Sequence, residues 1–260
     1  MSDLELLIDA AREAGEIALR HKAKGLDVEE KPDGAGPVTQ ADLDVDQALR
    51  TGLTSVRPDY AWLSEETDDD LSRLHSETLF VVDPIDGTRS FINGEKTWAH
   101  SLAIVRNGVA TDGVVYLPEM DLMYAASASQ GASCNGVRID VSDLSQLTQA
   151  RVLATRPNMD AKHWRAGTPT FKRSHRPSLA YRLCLVAEGR YDAMLTLRPS
   201  WEWDIAAGAV ILQEAGATVT DRSAAKLIFN NETPQTAGVL GAGPNLHRQI
   251  SDALIYGAGV

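Results

Sequence analysis

Residues 79–88, Leu-Phe-Val-Val-Asp-Pro-Ile-Asp-Gly-Thr, constrain this chain more than any other stretch. The apolar run Leu79 to Val82 reads as a buried strand. It delivers Asp83 to its end, and Pro84, which cannot continue a sheet interior, is expected to turn the chain there. Asp86 comes next, and Gly87-Thr88 opens a helix or a short helical turn. Two carboxylates at a strand mouth suit a hard divalent cation. Free N–H groups at Gly87 and Thr88 suit an anion such as phosphate. A metal beside a phosphate is the equipment of metal-assisted phosphoryl hydrolysis. Asp-Pro and Asp-Gly are also common turn chemistry, so this stretch alone leaves both readings open.

The flanking segments set the organisation. Ser2 and Glu5 form a capping box ahead of an amphipathic helix over 3–23. The Gly- and Pro-rich segment 25–38 reads as a loop, expected to be mobile at 32–37 without metal. Thr39 caps a second helix, with Asp42 in its first turn and Val45, Leu49 and Leu53 as its buried stripe. Residues 60–64 read as a strand that runs into five acids in six residues, Glu65 to Asp70. Such a run is usually a solvated loop. If the two strands are neighbours, however, Glu65 can share a cation with Asp83. Segments 99–106 and 109–116 flank Asn107-Gly108, a strong hairpin signal, and 121–127 and 137–141 extend an antiparallel meander. His100 is expected to be structural. Beyond residue 142, strands at 152–155, 191–197, 218–220, 227–229 and 236–241 alternate with apolar helices, an α/β pattern. The expected division is an N-terminal α+β half, 1–140, and a C-terminal α/β half, 141–260.

The net charge of −11 over 260 residues argues against a nucleic-acid polymer as partner. Bound cations can still bring in a phosphorylated small molecule. Cys134 and Cys184, far apart, point to a reducing cytoplasm rather than a disulfide framework. No apolar run approaches the ~20 residues of a membrane span.

Glu65-Glu66, Asp83-Pro-Ile-Asp86-Gly-Thr88 and Trp203-Asp204-Ile-Ala-Ala-Gly208, with Val38-Thr39-Gln-Ala-Asp42 and Ala187-Glu-Gly189, together resemble the signature set of the inositol monophosphatase superfamily. The resemblance covers almost the whole chain. It implies a layered αβαβα sandwich with a metal site between two halves, in a monomer or homodimer. By this resemblance Glu65, Asp83 and the carbonyl of Ile85 hold one Mg²⁺, and Asp83, Asp86 and Asp204 a second. A third, weaker ion leans on Glu65, and Li⁺ is expected to inhibit. Gly87 and Thr88 hold phosphate through their N–H groups. Asp42 and the Thr88 hydroxyl orient and deprotonate the attacking water, with Glu66 as an accessory.

The phosphate ester is less constrained. Inositol-phosphate members carry a Glu seven residues before the Asp204 position; here that residue is Leu197, which cannot accept a hydroxyl hydrogen bond. Lys172, Arg173, His175, Arg176 and Arg182 cluster nearby instead, and a second anion is one reason to place arginines there. The other is a basic solvated loop balancing the acidic site. Arg182 falls where the 3′(2′),5′-bisphosphate nucleotidase branch often has a Lys. The favoured substrate is 3′-phosphoadenosine 5′-phosphate, in sulfur metabolism, giving AMP and phosphate; the runner-up is inositol-1-phosphate or another polyol or sugar monophosphate. A catalytically silent binding protein would have lost at least one of Glu65, Asp83, Asp86, Asp204, Asp42 or Thr88, and none is lost.

Overall fold

A computed structural model describes residues 1–34 and 36–255, the side chain of Asp33 excepted. Helix α1 (Asp3–Lys24) opens with the expected capping box: Ser2 Oγ accepts from Glu5 N at 3.2 Å and Glu5 Oε2 from Ser2 N at 2.8 Å. The segment expected as a loop folds back as a two-stranded hairpin of β1 (Val28–Glu30) and β2 (Pro37–Thr39). Pro32, Gly34 and Gly36 sit in the connection, and Pro37 only opens the second strand. The mobility expected at 32–37 falls partly on Ala35, outside the described residues. Helix α2 (Gln40–Val56) buries Val45, Leu49 and Leu53.

Seven strands form the larger sheet: β3 (Ala61–Ser64), β4 (Thr78–Asp86), β5 (Ala99–Arg106), β6 (Val109–Leu117), β7 (Leu122–Ser127), β8 (Ala132–Cys134) and β9 (Val137–Ile139), in that spatial order. β3 and β4 are parallel and the rest antiparallel. Asn107 and Gly108 both take left-handed φ, 49° and 77°, as the tight β5–β6 hairpin requires. Pro84 does not end its strand. β4 runs on to Asp86 through a bulge, where the pairing steps from Asp83↔Ser101 to Asp86↔Ala99. The bulge absorbs the missing N–H, and Pro84 O accepts from His100 Nδ1. A short helix, α3 (Thr88–Ile92), comes directly after.

The second sheet is assembled from β10 (Arg151–Ala154), β11 (Lys172–Ser174), β12 (Ala193–Thr196), β14 (Thr218–Thr220) and β16 (Val239–Ala242), in spatial order β11-β10-β12-β16-β14. The expected strand at 236–241 is split at Gly238. Its first part, β15 (Gln235–Thr236), pairs instead with β13 (Ser200–Trp201). The expected strand at 227–229 is absent: Leu227 and Phe229 are buried, but the backbone is irregular up to Asn230, whose φ is 65°. The apolar run Leu227-Ile228-Phe229 reported burial there, not a ladder.

The layers come from alternation. On β4, Phe80 and Val82 face α1 and α2, while Leu79 and Val81 face α4 (Leu179–Ala187) and α5 (Glu202–Glu214). The second sheet covers the far side of α4 and α5, and α6 (Pro244–Ala253) closes the stack against Leu195 and Leu240. The order is therefore αβαβα. α5 lies very close on the large sheet: a Cβ at Gly113 would stand 2.5 Å from Val210 Cγ1. This approach fixes the head of α5, which carries Asp204.

His100 is fully buried, its Nε2 is unpartnered, and Trp98 packs edge-on at 5.5 Å. Burial pushes its pKa down to about 4. A lowered folded pKa means the folded state holds fewer protons. The stability this contributes is complete above the unfolded value of about 6.5 and drains as pH falls towards 4. Between pH 7 and pH 5 the wild type should lose about 2 kcal/mol more stability than His100→Asn. The clustered carboxylates titrate in the opposite sense, so the check is a urea melt of both proteins at both pH values. Equal losses would exclude His100 as an acid-sensitive element.

Candidate active site

Parallel pairing places Ser64 opposite Val82, so Glu65 leaves its strand beside Asp83. The bulge carries Asp86 to the head of α4, where its Oδ2 accepts from Ser178 Oγ and Ala180 N, both at 2.7 Å. Asp204 enters from the first turn of α5. Asp83, Asp86 and Asp204 each place one oxygen within 4.8 Å of the others. Glu65 joins the same cleft wall but lies outside that tight group.

The electrostatics of this cluster are adverse without a cation. Asp83 is 1% exposed and its Oδ1 has no hydrogen-bond partner. Burial, then the charges of Glu65, Asp86 and Asp204, raise its pKa well above the usual range. Asp204 is raised by burial and by Asp86, and Asp86 by burial against its hydrogen bonds to α4. Converging hard oxygens, one of them orphaned, match the donor set of Mg²⁺. Lys31, from the hairpin connection, bonds Glu65 Oε1 at 2.8 Å and Glu66 Oε1 at 2.7 Å. Burial would lower its pKa, but the two glutamates lift it to about 12. Burial raises Glu66 to about 7 despite that contact.

Thr88 and Asp42 stand side by side. Thr88 Oγ1 lies 3.3 Å from Asp42 Oδ1 and 3.2 Å from the Ile85 carbonyl. Asp42 Oδ2 is occupied by Thr39 N and Oγ1, at 2.8 and 2.6 Å. Burial raises the Asp42 pKa, which makes it a better proton acceptor than a free carboxylate. Gly87, left-handed at φ 99°, turns the chain into α3 so that its N–H and that of Thr88 stand at the helix head.

Glu65, Asp83, Ile85, Asp86, Gly87, Thr88 and Asp204 line one cleft of about 450 Å³, whereas Asp42 and Glu66 do not line it. Its lining is also basic and aromatic: Arg89, which follows Thr88 on α3, and His175, Arg182, Arg198, Trp201 and Trp203. Arg182 reaches it, though much of its guanidinium is spent on Arg176 O, Pro177 O and His175 Nε2. Arg176 and Leu197 do not reach it. The Arg176 guanidinium lies over Tyr191 at 5.7 Å. Leu197 is 5% exposed and packs with Leu195 and Leu246, because strand alternation turns 195 and 197 to the α6 side. Arg198, one residue on, faces the cleft in its place. Sequence reasoning missed Arg89 and Arg198, which are isolated arginines with no spacing signal. It also missed Ser178, whose N-cap position ahead of an apolar helix was a usable clue.

A brace joins the two sides. Arg73, 1% exposed, bonds Asp69 and Asn230 Oδ1 (2.7 Å). Glu202, 0% exposed, accepts from Asn230 N, Asn231 N and Asn231 Nδ2. The acidic loop after Glu65 is thereby tied to the residue two before Asp204.

Fold, acidic cluster and hydroxyl-carboxylate pair together define a metal-dependent phosphomonoesterase. The profile of the Inositol monophosphatase family matches residues 2–255. Inositol monophosphatase 3 of Solanum lycopersicum is 35% identical over 85% of this chain and 86% of its own. The Fructose-1,6-bisphosphatase/inositol-1-monophosphatase of Aquifex aeolicus is 33% identical over 84% of each chain. Among solved structures, Thermotoga maritima IMPase superposes with a TM-score of 0.83 at 28% identity, covering 97% of this chain and 96% of its own. The extragenic suppressor protein suhB of Bartonella henselae gives 0.79 at 27%, over 97% and 98%. This chain belongs to the inositol monophosphatase family, whose members are Mg²⁺-dependent phosphatases. No helix among the described residues is long and apolar enough to cross a membrane.

Proposed function

We propose that this protein hydrolyses a 3′(2′),5′-bisphosphate nucleotide, with 3′-phosphoadenosine 5′-phosphate as the favoured substrate, to the nucleoside monophosphate and inorganic phosphate. The observation that carries this reading is the gathering of Arg89, Arg182 and Arg198 on one cleft with the acidic cluster, in a chain of net charge −11. One phosphoryl group belongs with the metal; the arginines suit a second. Leucine at 197, pointing away, leaves no carboxylate there for polyol hydroxyls.

Glu65, Asp83 and the Ile85 carbonyl are suited to one Mg²⁺, Asp83, Asp86 and Asp204 to another, and Glu65 to a weaker third; Li⁺ would compete for the least tightly held. Bound Mg²⁺ supplies charge neutralisation at the phosphoryl oxygens, a lowered pKa for its water and stabilisation of the leaving alkoxide. The Gly87 and Thr88 N–H groups orient the phosphoryl oxygens. Thr88 Oγ1 accepts a proton from the attacking water as it passes its own to Asp42 Oδ1. Glu66 is an accessory: it shares Lys31 with Glu65, and so helps to hold the lysine that positions Glu65.

Inositol-1-phosphate is the second reading, favoured by the names of the relatives above. Phosphate release from both esters with Mg²⁺ decides between them. A preference for the bisphosphate of tenfold or more in kcat/KM is expected; a tenfold preference for inositol-1-phosphate would overturn the nucleotidase reading.

A further inference from the structure

Trp201 has no role in the chemistry above, yet the fold holds it firmly. Its indole stacks on Trp203 with centroids 4.7 Å apart and planes 8° from parallel, while 41% of the residue stays exposed. Both rings line the cleft, and Trp203 immediately precedes Asp204. Three contacts hold this short segment. Trp201 pairs with Gln235 in the β13–β15 ladder, Glu202 is clamped by Asn230 and Asn231, and Trp203 O accepts from Ser101 Oγ at 2.8 Å. The strand-to-helix junction separates these side chains: Glu202, at the start of α5, turns inward to the brace, while Trp201 and Trp203 line the cleft. A large apolar ring is left stacked on Trp203 yet partly exposed. Arg198 is exposed and lines the same cleft.

We propose that Trp201 is a stacking platform for a planar heteroaromatic ring in the leaving group, with Arg198 beside it for a second anionic group. The proposal rests on the bisphosphate-nucleotide reading and names the residue that selects the base. A pre-stacked indole loses little freedom on binding. Base–aromatic stacking contributes about 1–3 kcal/mol, which is roughly fivefold to 150-fold in affinity. A polyol offers no π face to this surface.

The test compares 3′-phosphoadenosine 5′-phosphate with ribose 3,5-bisphosphate, which keeps both phosphates and lacks the ring. Wild type, Trp201→Ala and Trp201→Phe are assayed with Mg²⁺. The wild type should favour the ringed ester at least tenfold in kcat/KM, chiefly through KM. Trp201→Ala should cut that ratio tenfold, and Trp201→Phe should restore most of it. In parallel, AMP should quench wild-type tryptophan fluorescence saturably, with weaker binding by Trp201→Ala. An unchanged ratio in Trp201→Ala, with the wild type still preferring the bisphosphates, overturns the platform and leaves the nucleotidase reading standing. Should the wild type instead prefer inositol-1-phosphate, that reading falls and the AMP titration judges the platform alone: Trp201-dependent quenching upholds it, and its absence overturns it.

Discussion

Asp83→Asn should release phosphate at least about 10³-fold more slowly than the wild type at saturating Mg²⁺, and yet should melt at a higher temperature than the wild type when both are stripped of metal. The two effects share one cause. Asp83 sits where Glu65, Asp86 and Asp204 converge, and its Oδ1 is buried without a partner. Without a cation, folding must hold these charges together or protonate some of them, and the raised pKa values of Asp83, Asp86 and Asp204 express that cost. Asparagine keeps the shape and removes one charge. Relief of about 1 kcal/mol would raise the metal-free Tm by about 2–4 °C for a chain of this size. With Mg²⁺ the order reverses, because the wild type alone gains the full stabilisation of a ligand bound only to the folded state. A 10³-fold rate loss corresponds to about 4 kcal/mol of barrier. Thermal melts with and without chelator, beside a phosphate-release assay, read both arms. A variant that keeps its Mg²⁺-dependent Tm rise would remove Asp83 from the metal site.

The same cluster shows how much of the site was legible in the sequence. Asp83 and Asp86 could be found because a strand must deliver the residues at the end of its apolar run, and Glu65 because it stands at the end of a second such run. Their convergence with Asp204 depended on the family resemblance, since no local rule brings a helix head so distant in the chain to a strand end. Pro84 misled for a physical reason: its missing N–H normally ends a central strand, and a bulge removed that conflict. Leu227 and Phe229 misled because a short apolar run marks burial without saying whether its backbone pairs. The basic rim was the least legible part. Arg176 and Arg198 look alike as letters, and only the direction of the backbone at each sends one to Tyr191 and the other to the cleft.

Asp42→Asn separates proton transfer from metal binding: turnover should fall about 10²- to 10⁴-fold while the Mg²⁺-induced rise in Tm is preserved. Asp42 uses its two oxygens differently. Oδ2 receives the Thr39 N–H and hydroxyl that cap α2, and Oδ1 faces Thr88 Oγ1. In the asparagine variant the Thr39 N–H selects the carbonyl oxygen, so the cap survives and the NH₂ turns towards Thr88. A donor then meets the hydroxyl where an acceptor stood. Thr88 can no longer pass on its proton and so cannot take one from water. Thr88→Val should lower kcat similarly, because it removes the hydroxyl altogether, while Thr88→Ser should retain most of the rate. Rates within threefold of wild type for both Asp42→Asn and Thr88→Val would show that the attacking water loses its proton by another route. A lost Mg²⁺ response in Asp42→Asn would instead place Asp42 among the groups that hold the ion.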